Sequence, residues 1–141
     1  MNRNFIFILL IALSVTNTIP LEKRSTNFTD VCYYGVDPRE IISASVSPDP
    51  VISGQNVTFN VSRTLSNAIT NKGLIYIDFC DDDSSSIIYE NNSTAPQTAA
   101  GSSFKANLTF EAPANLPSSY IIQVLVMSPS DLIGCIIASV S

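Results

Sequence analysis

A stretch near the middle of the chain alternates polar and apolar residues with a period of two. Ser47 to Ser62 reads SPDPVISGQNVTFNVS, and in its second half Val57, Phe59 and Val61 fall on one side. A period of two is that of a β-strand with one buried face. Because proline fixes φ and lacks an N–H, neither a helix nor a strand can run through the Pro-Asp-Pro segment at the start. The stretch therefore predicts a turn followed by a half-buried strand.

Sequons for N-glycosylation lie on the polar side of this strand. Asn56 and Asn60 each begin an Asn-X-Ser/Thr motif, and both fall opposite the apolar residues. Two independent signals therefore indicate the same solvent-facing side. The sequons of Asn91 and Asn92 overlap, and we do not expect both to be modified. The predicted glycosylation sites are Asn27, Asn56, Asn60, Asn92 and Asn107.

Further short strands are predicted along the rest of the chain. Ser103 to Glu111 repeats the perfect alternation, with the sequon of Asn107 on its polar side. Gly73 to Phe79 is rich in β-branched and aromatic residues, and Tyr120 to Met127 is apolar on both sides, as in a strand covered on both faces. The other predicted strands are Ile41 to Ser47, Ile87 to Tyr89 and Leu132 to Val140; Ser25 to Pro38 is predicted to be irregular, Leu65 to Lys72 a turn-rich link and Asn91 to Ser102 a loop.

The strand pattern and the chain length indicate the fold class. The chain has 141 residues, which is enough for one domain with one core. Turn residues recur about every ten positions, and no stretch shows helical periodicity. We therefore predict an all-β fold, an immunoglobulin-like antiparallel β-sandwich of about seven strands.

The N-terminal residues have the pattern of a secretory leader. Arg3 precedes the short apolar run FIFILLIAL, and small polar residues follow it. The run is far below the roughly 20 apolar residues that span a bilayer, so the pattern favours export over anchoring. Lys23 and Arg24 then form a dibasic pair, which is either a processing site or two ordinary surface charges. We expect a signal peptide over residues 1–18, a propeptide over 19–24 and a mature domain over 25–141, secreted or held in a vacuolar or endomembrane lumen.

Three cysteines leave one unpaired if a disulfide forms in an oxidising compartment. Pairing Cys32 with Cys135 would close almost the whole domain into one loop, worth about 4–5 kcal/mol in the chain-entropy model. We prefer that pairing. Cys80 would then be a buried thiol or an intermolecular link, and nothing near it in the sequence indicates a reactive thiolate.

Charge and composition argue against several functions. Beyond Arg24 the chain has four basic residues against eleven acidic ones, a net charge near −7, which disfavours nucleic acid as a partner. The sequence contains no histidine, so a Ser-His-Asp or Cys-His site cannot be built, and we expect no enzyme. Asp78, Asp81, Asp82 and Asp83 form a dense acidic cluster that a calcium ion could use, but it lacks the glycine-bearing pattern of a calcium loop and is interpreted as a solvated turn. We expect neither a metal nor a cofactor.

Apolar residues on the inner sides of the predicted strands form the candidate functional site. Either they fill the space between the sheets as a solid core, or the sheets separate and the same residues line a pocket for an acyl chain or a sterol. Burying one CH₂ group stabilises by about 0.8 kcal/mol, so a lipid tail can bind without a charged partner. The alternation of polar and apolar residues is the same for a filled and for a hollow interior, so it does not distinguish the two. The candidate lipid-cavity residues are Val57, Phe59, Val61, Ile75, Ile77, Phe104, Leu108, Phe110, Ile122, Val124 and Val126.

The order of these motifs resembles the ML lipid-recognition domain. The segments that carry the resemblance are SPDPVISGQNVTF, which follows Cys32, and PANLPSSYIIQVLV, which precedes Cys135. Within that family the chain is most similar to the fungal phosphatidylglycerol/phosphatidylinositol transfer proteins and the Niemann–Pick type C2 sterol carriers. It departs from the family pattern at Val51 and Ser119, and it does not keep the middle cysteine pair of the family.

The resemblance implies both a structure and a function. It implies a two-sheet sandwich with an apolar cavity between the sheets and a disulfide between Cys32 and Cys135. It also implies a protein that binds a phospholipid, such as phosphatidylglycerol or phosphatidylinositol, or a sterol. We expect a monomer that carries this lipid through transient membrane contact. The alternative is a secreted glycoprotein with a solid core that binds a protein or a cell-wall partner.

Overall fold

The structure is a computed structural model that describes residues 25–30, 32, 41–129 and 131–141. Eight strands form in these ranges. Within the same ranges, no helix is long and apolar enough to cross a membrane. The predicted signal peptide and propeptide, residues 1–24, lie outside the described residues. The strands are β1 (Asn27–Asp30), β2 (Ser43–Ser47), β3 (Asn56–Thr64), β4 (Leu74–Asp81), β5 (Ile87–Thr94), β6 (Ser103–Glu111), β7 (Tyr120–Ser128) and β8 (Asp131–Val140).

The strands form two antiparallel sheets, which confirms the predicted fold class. Five strands pair in the order β1-β8-β7-β4-β5, and three pair in the order β2-β3-β6. The alternation in the sequence sets the register, because pairing β3 with β6 aligns their apolar positions on one face. Val57 lies opposite Phe110, and Phe59 lies opposite Leu108.

The predicted extents of two segments are wrong. β1 lies in the segment predicted to be irregular; four residues are too few to show a period, and β1 is held by pairing with β8. β5 continues to Thr94, although the sequence predicts its end at Tyr89 and a loop from Asn91. Its polar second half pairs with β4 at the edge of the five-stranded sheet. Polar side chains are common on such edges, so their composition resembles that of a loop.

The core lies between the two sheets. Buried apolar residues of both sheets form one cluster, in which Phe59, Phe79 and Phe104 are the largest fully buried side chains. Full burial of such a side chain stabilises the fold by about 1.5–3 kcal/mol. The alternating residues of β3 and β6 therefore serve as half of the core, while β4 and β7 supply the other half.

The connecting loops gather at two ends of the sandwich. The loop end, as we call it, carries the β2–β3 loop (48–55), the β4–β5 turn (82–86) and the β6–β7 loop (112–119). Gly54 has a φ of 70°, which glycine adopts without strain, and its N–H lies 3.2 Å from the carbonyl oxygens of both Ala112 and Pro113. At the opposite end, the β3–β4 and β5–β6 loops meet in a bridge between Ile69 and Thr98.

A second, smaller apolar cluster covers part of the outer face of the five-stranded sheet. Cys80, Ile121 and Ile137 are buried there, and Cys32 packs against them. Cys32 and Cys135 form a disulfide with their Cα atoms 6.0 Å apart, which confirms the preferred pairing and fits an oxidising compartment. This outer cluster explains why β7 is apolar on both faces.

Candidate functional site

The eleven predicted lipid-cavity residues all belong to the apolar cluster between the sheets. β3, β4, β6 and β7 bring them together, and each is at most 5% exposed except Phe110, which is half-buried. They pack against one another across the two sheets, so protein side chains occupy this part of the interior. The structure thus shows an apolar interior and does not by itself show a hollow one.

Five aromatic rings meet in the half of the interior nearest the loop end. This aromatic cluster consists of Phe59, Phe79, Tyr89, Phe110 and Tyr120. Phe79 is its centre, with ring centroids 6.3 Å from Phe59 and 6.2 Å from Tyr89. The centroids of Phe110 and Tyr120 lie 6.4 and 6.0 Å from it. Ring pairs at such distances each stabilise by about 0.5–1.5 kcal/mol beyond area burial.

One open side of the sandwich is closed by side chains alone. β5 and β6 are edge strands of different sheets and share no ladder. Tyr89 of β5 and Phe110 of β6 bridge the gap between them with stacked rings, whose centroids are 6.3 Å apart and whose planes meet at 22°. Both side chains are half-buried. The two rings therefore lie between solvent and the interior at this point of the sandwich.

Two surface depressions flank the β6–β7 loop at the loop end. One, of about 430 Å³, lies beside Ile88 and Tyr89. The other, of about 250 Å³, lies beside Leu116 and Tyr120. A third, of about 460 Å³, lies at the opposite end and reaches no ring of the aromatic cluster. The two depressions at the loop end thus each adjoin a ring of the aromatic cluster.

Exposed apolar side chains also collect at the loop end. Among the residues in the described ranges, four large apolar side chains are at least 41% exposed, and three of them, Ile52, Ile87 and Ile88, belong to this end. Single exposed apolar residues are normal, but a group beside depressions indicates a contact surface. The fourth is Ile41, which forms an isolated parallel β-bridge with Cys135 of β8.

The two ends of the sandwich differ in charge. Asp49, Asp81 to Asp83 and Glu111 lie at the loop end. The described ranges contain three basic residues, and all three lie toward the opposite end, where Asp131 is also found. These basic residues are Arg63, Lys72 and Lys105.

The Asp81 carboxylate is used within its own turn. Its Oδ1 accepts hydrogen bonds from the backbone N–H of Ser84 at 2.8 Å and of Asp83 at 3.1 Å, and from the Ser84 hydroxyl at 2.9 Å. These hydrogen bonds lower the pKa of Asp81, and the one from the Ser84 N–H has the largest effect. This geometry agrees with the interpretation of Asp81 to Asp83 as a solvated turn. The same interpretation is wrong for Asp78, which lies within β4 and is buried.

A carboxyl group and a thiol are buried on the outer face of the five-stranded sheet. Asp78 is 3% exposed, and its Oδ1 has no hydrogen-bond partner among the described residues. The pKa of Asp78 is raised to about 6, mainly because the carboxyl is buried and to a smaller extent because the Glu90 carboxylate is close to it. Burial, followed by the charge of Asp78, also raises the pKa of the free thiol of Cys80. Cys80 is therefore a buried, protonated thiol, the first of its two predicted states.

The asparagines predicted to carry glycans are all exposed. β3 and β6 present three of them on the outer face of the three-stranded sheet. Asn91, the overlapping alternative, lies opposite Ile77 on the interior side of β5 and is half-buried. The exposed asparagines are Asn27, Asn56, Asn60, Asn92 and Asn107.

Three members of the aromatic cluster are absent from the set predicted from sequence. Phe79 continues the period of Ile75 and Ile77, so one further step along that strand would identify it. Tyr89 is missed because the predicted β5 strand has too few residues to show which of its side chains face the interior. Tyr120 is missed because a strand that is apolar on both sides gives no preference for one face.

Comparison with known proteins does not identify the chain. No family model matches its sequence, and no curated protein matches it significantly. Among solved structures it is similar to part of a β-glucuronidase from glycoside hydrolase family 2, with a TM-score of 0.47 and 9% identity. The match covers 70% of this chain and only 11% of the enzyme's chain. A similarity this weak carries no argument about function.

Proposed function

We propose that this chain is a secreted lipid-binding and lipid-transfer protein of the ML type, which holds the apolar part of a phospholipid or a sterol between its two sheets. The observation that supports this best is the apolar interior, which the half-buried rings of Tyr89 and Phe110 border on the β5–β6 side. The sequence motifs that resemble the ML domain support the same function.

A bound acyl chain would replace contacts among protein side chains. Separating the six ring contacts of the aromatic cluster gives up about 0.5–1.5 kcal/mol each. Each buried CH₂ contributes about 0.8 kcal/mol, so an acyl chain of about a dozen carbons contributes on the order of 10 kcal/mol. Because β5 and β6 share no ladder, the sheets can separate on this side without breaking strand pairing.

The polar head of the ligand would remain at the loop end. The two depressions there adjoin Tyr89 and Tyr120, and the β6–β7 loop between them contains the exposed residues Ala114, Asn115, Pro117 and Ser118. Ile52, Ile87 and Ile88 would enter the membrane surface during transfer, since exposed isoleucines gain by leaving water. Lipid exchange then needs no covalent chemistry.

The test of this proposal is lipid content and lipid exchange. Protein purified from its own host is examined by native mass spectrometry, and transfer is followed with fluorescent phospholipid and sterol between liposomes. We expect one bound lipid and measurable transfer. Absence of both would overturn the proposal.

The rings of Tyr89 and Phe110 give a sharper prediction. The variant Tyr89→Ala/Phe110→Ala removes the side chains that close the β5–β6 gap, so lipid uptake and release should both accelerate several-fold. Leu116→Ala is the matched control, because Leu116 is a partly buried side chain that lines the other depression at the same end. Circular dichroism establishes that both variants are folded. Equal exchange rates in the two variants would show that lipid does not pass between these rings.

A second candidate function is a secreted interaction module with a solid core. It is favoured by the packing of the interior, where six ring pairs lie at centroid distances from 5.7 to 6.4 Å. The loop end, with its exposed isoleucines, would then bind a protein or a cell-wall polymer. Lipid-free native protein that keeps these ring contacts in a crystal structure would support this candidate.

A further inference from the structure

The outer face of the three-stranded sheet consists almost entirely of uncharged polar residues. Every outward position of β2, β3 and β6 is Ser, Thr or Asn except Lys105 and Glu111. Such a face offers neither an apolar patch nor a charge cluster to a partner. It does carry three sequons, at Asn56, Asn60 and Asn107, so its expected occupant is N-linked oligosaccharide.

Two of these asparagines are cross-strand neighbours. Asn60 of β3 and Asn107 of β6 are directly opposite each other in the register and point to the same face. The Cβ atoms of such a pair are only about 4.5–5.5 Å apart. Asn60 is also flanked by Ser45 of β2 on its other side, whereas Asn107 lies on an edge strand. Asn60 therefore has a neighbour on both sides, and oligosaccharides on Asn60 and Asn107 would start from adjacent positions of the same face.

In the folded sheet, the sequons of Asn56 and Asn107 are also connected by a hydrogen bond. Thr58 and Thr109 are the hydroxyl residues of the Asn56 and Asn107 sequons, and their Oγ1 atoms are hydrogen-bonded at 2.8 Å. Once β3 pairs with β6, the Asn107 motif lies within a hydrogen-bonded ladder and its hydroxyl is engaged. Glycans must therefore be attached before the two strands pair, and the pairing then brings the modified side chains together.

We propose that glycosylation of Asn60 and of Asn107 is mutually exclusive in the folded, secreted protein. A chain that carries oligosaccharide at either site can form the β3–β6 ladder, whereas a chain that carries both cannot bring the two strands into register. Asn56 is compatible with either, because it is opposite Glu111 and is offset from Asn107 by four residues, about 13 Å along the strand. The inference requires entry into the secretory pathway, as the proposed function does, but it does not depend on lipid binding.

The experiment compares pairs of sequons by intact mass. All other sequon asparagines are changed to Gln, leaving Asn60 with Asn107 in one variant and Asn56 with Asn107 in the matched control. Single-sequon variants give the occupancy of each site alone. Asn→Gln changes are used because replacing Thr109 would also break its bond to Thr58. The proteins are expressed with the natural leader in a eukaryotic secretory host, and only folded, secreted protein is weighed.

The expected result is loss of the doubly glycosylated species for Asn60 with Asn107, while each site alone is modified and the control pair gives the doubly modified species. Secreted protein with both Asn60 and Asn107 modified, at the product of the single-site occupancies, would overturn the proposal. Absence of glycan on either single-sequon variant would overturn it as well. Lipid content measured on the same preparations separates this outcome from failure of the proposed function.

Discussion

Asp78 lies in the middle of β4 with its side chain on the outer face of the five-stranded sheet, opposite Glu90 on one neighbouring strand and Gln123 on the other. Its side chain is buried, at 3% exposure. The sequence places it in an apolar strand, and that context alone does not reveal whether an outward carboxyl is covered. Here the sheet face is covered, and the carboxyl becomes a source of pH dependence.

The stability of the protein should fall between about pH 4 and pH 6 as Asp78 ionises. The pKa of Asp78 is about 6 in the folded protein against 3.8 in the unfolded chain, so the folded state binds more protons in this window. The contribution of this carboxyl to stability is complete below pH 4 and is lost as the pH rises through 6. Asp78→Asn should therefore raise the free energy of unfolding at pH 7, by at most about 3 kcal/mol.

Urea denaturation at a series of pH values measures this effect. Asp78→Asn should remove most of the slope between pH 4 and 6. Asp82→Asn, at an exposed turn position, is the control and should leave the slope unchanged. A slope that persists in Asp78→Asn would assign the pH dependence to another group.

At the scale of elements, Gly73 shows how closely the β3–β4 loop packs against the sheet. A Cβ at this position would overlap Cγ2 of Ile69 and would lie 3.1 Å from the carbonyl oxygen of Met127 and 3.3 Å from Cβ of Ala95. Its N–H donates to Thr70, and its carbonyl accepts from Ala95. Glycine at the start of the strand is therefore needed for space.

Gly73→Ala should lower the free energy of unfolding by about 1–3 kcal/mol, the usual range for overpacking. The control is Gly101→Ala, where φ is 76° and no atom lies within 4 Å of an added Cβ, so that only backbone strain is introduced. Thermal or urea denaturation compares the two. A smaller effect for Gly73→Ala than for Gly101→Ala would mean that Ile69 and its neighbours adjust without loss.

The elements differ in how well their sequences predict them. β3 and β6 alternate without error, so their extents, their inner faces and the positions of their sequons follow from the period alone. β1 has no readable period and depends on pairing with β8, a contact between the two ends of the chain. β5 has a polar second half because it is an edge strand, and local composition cannot distinguish that from a loop. The stacking of Tyr89 on Phe110 cannot be predicted from local sequence either, because it depends on which edge strands of the two sheets lie next to each other.

At the scale of the whole molecule, the disulfide joins the start of the domain to its last strand. Cys32 and Cys135 are separated by 103 residues, so their bond restricts most of the unfolded chain. Cys32→Ser/Cys135→Ser should therefore lower the free energy of unfolding by about 4–5 kcal/mol in the chain-entropy model. Urea denaturation without reductant measures the loss. Cys80→Ala keeps the disulfide and is the control; if it destabilises as much as the double variant, the chain-entropy account is wrong.

The charge difference between the two ends gives the part of the chain that the structure describes an electric dipole along the sandwich axis. Near an anionic bilayer its field turns the basic end toward the lipid and the acidic loop end away, over a range of about 8 Å at physiological ionic strength. A protein that exchanges lipid through the loop end would then approach such a membrane in the wrong orientation. Neutral membranes, or anionic ones screened by salt, would be its effective partners, and surface charge would select the compartment in which it works.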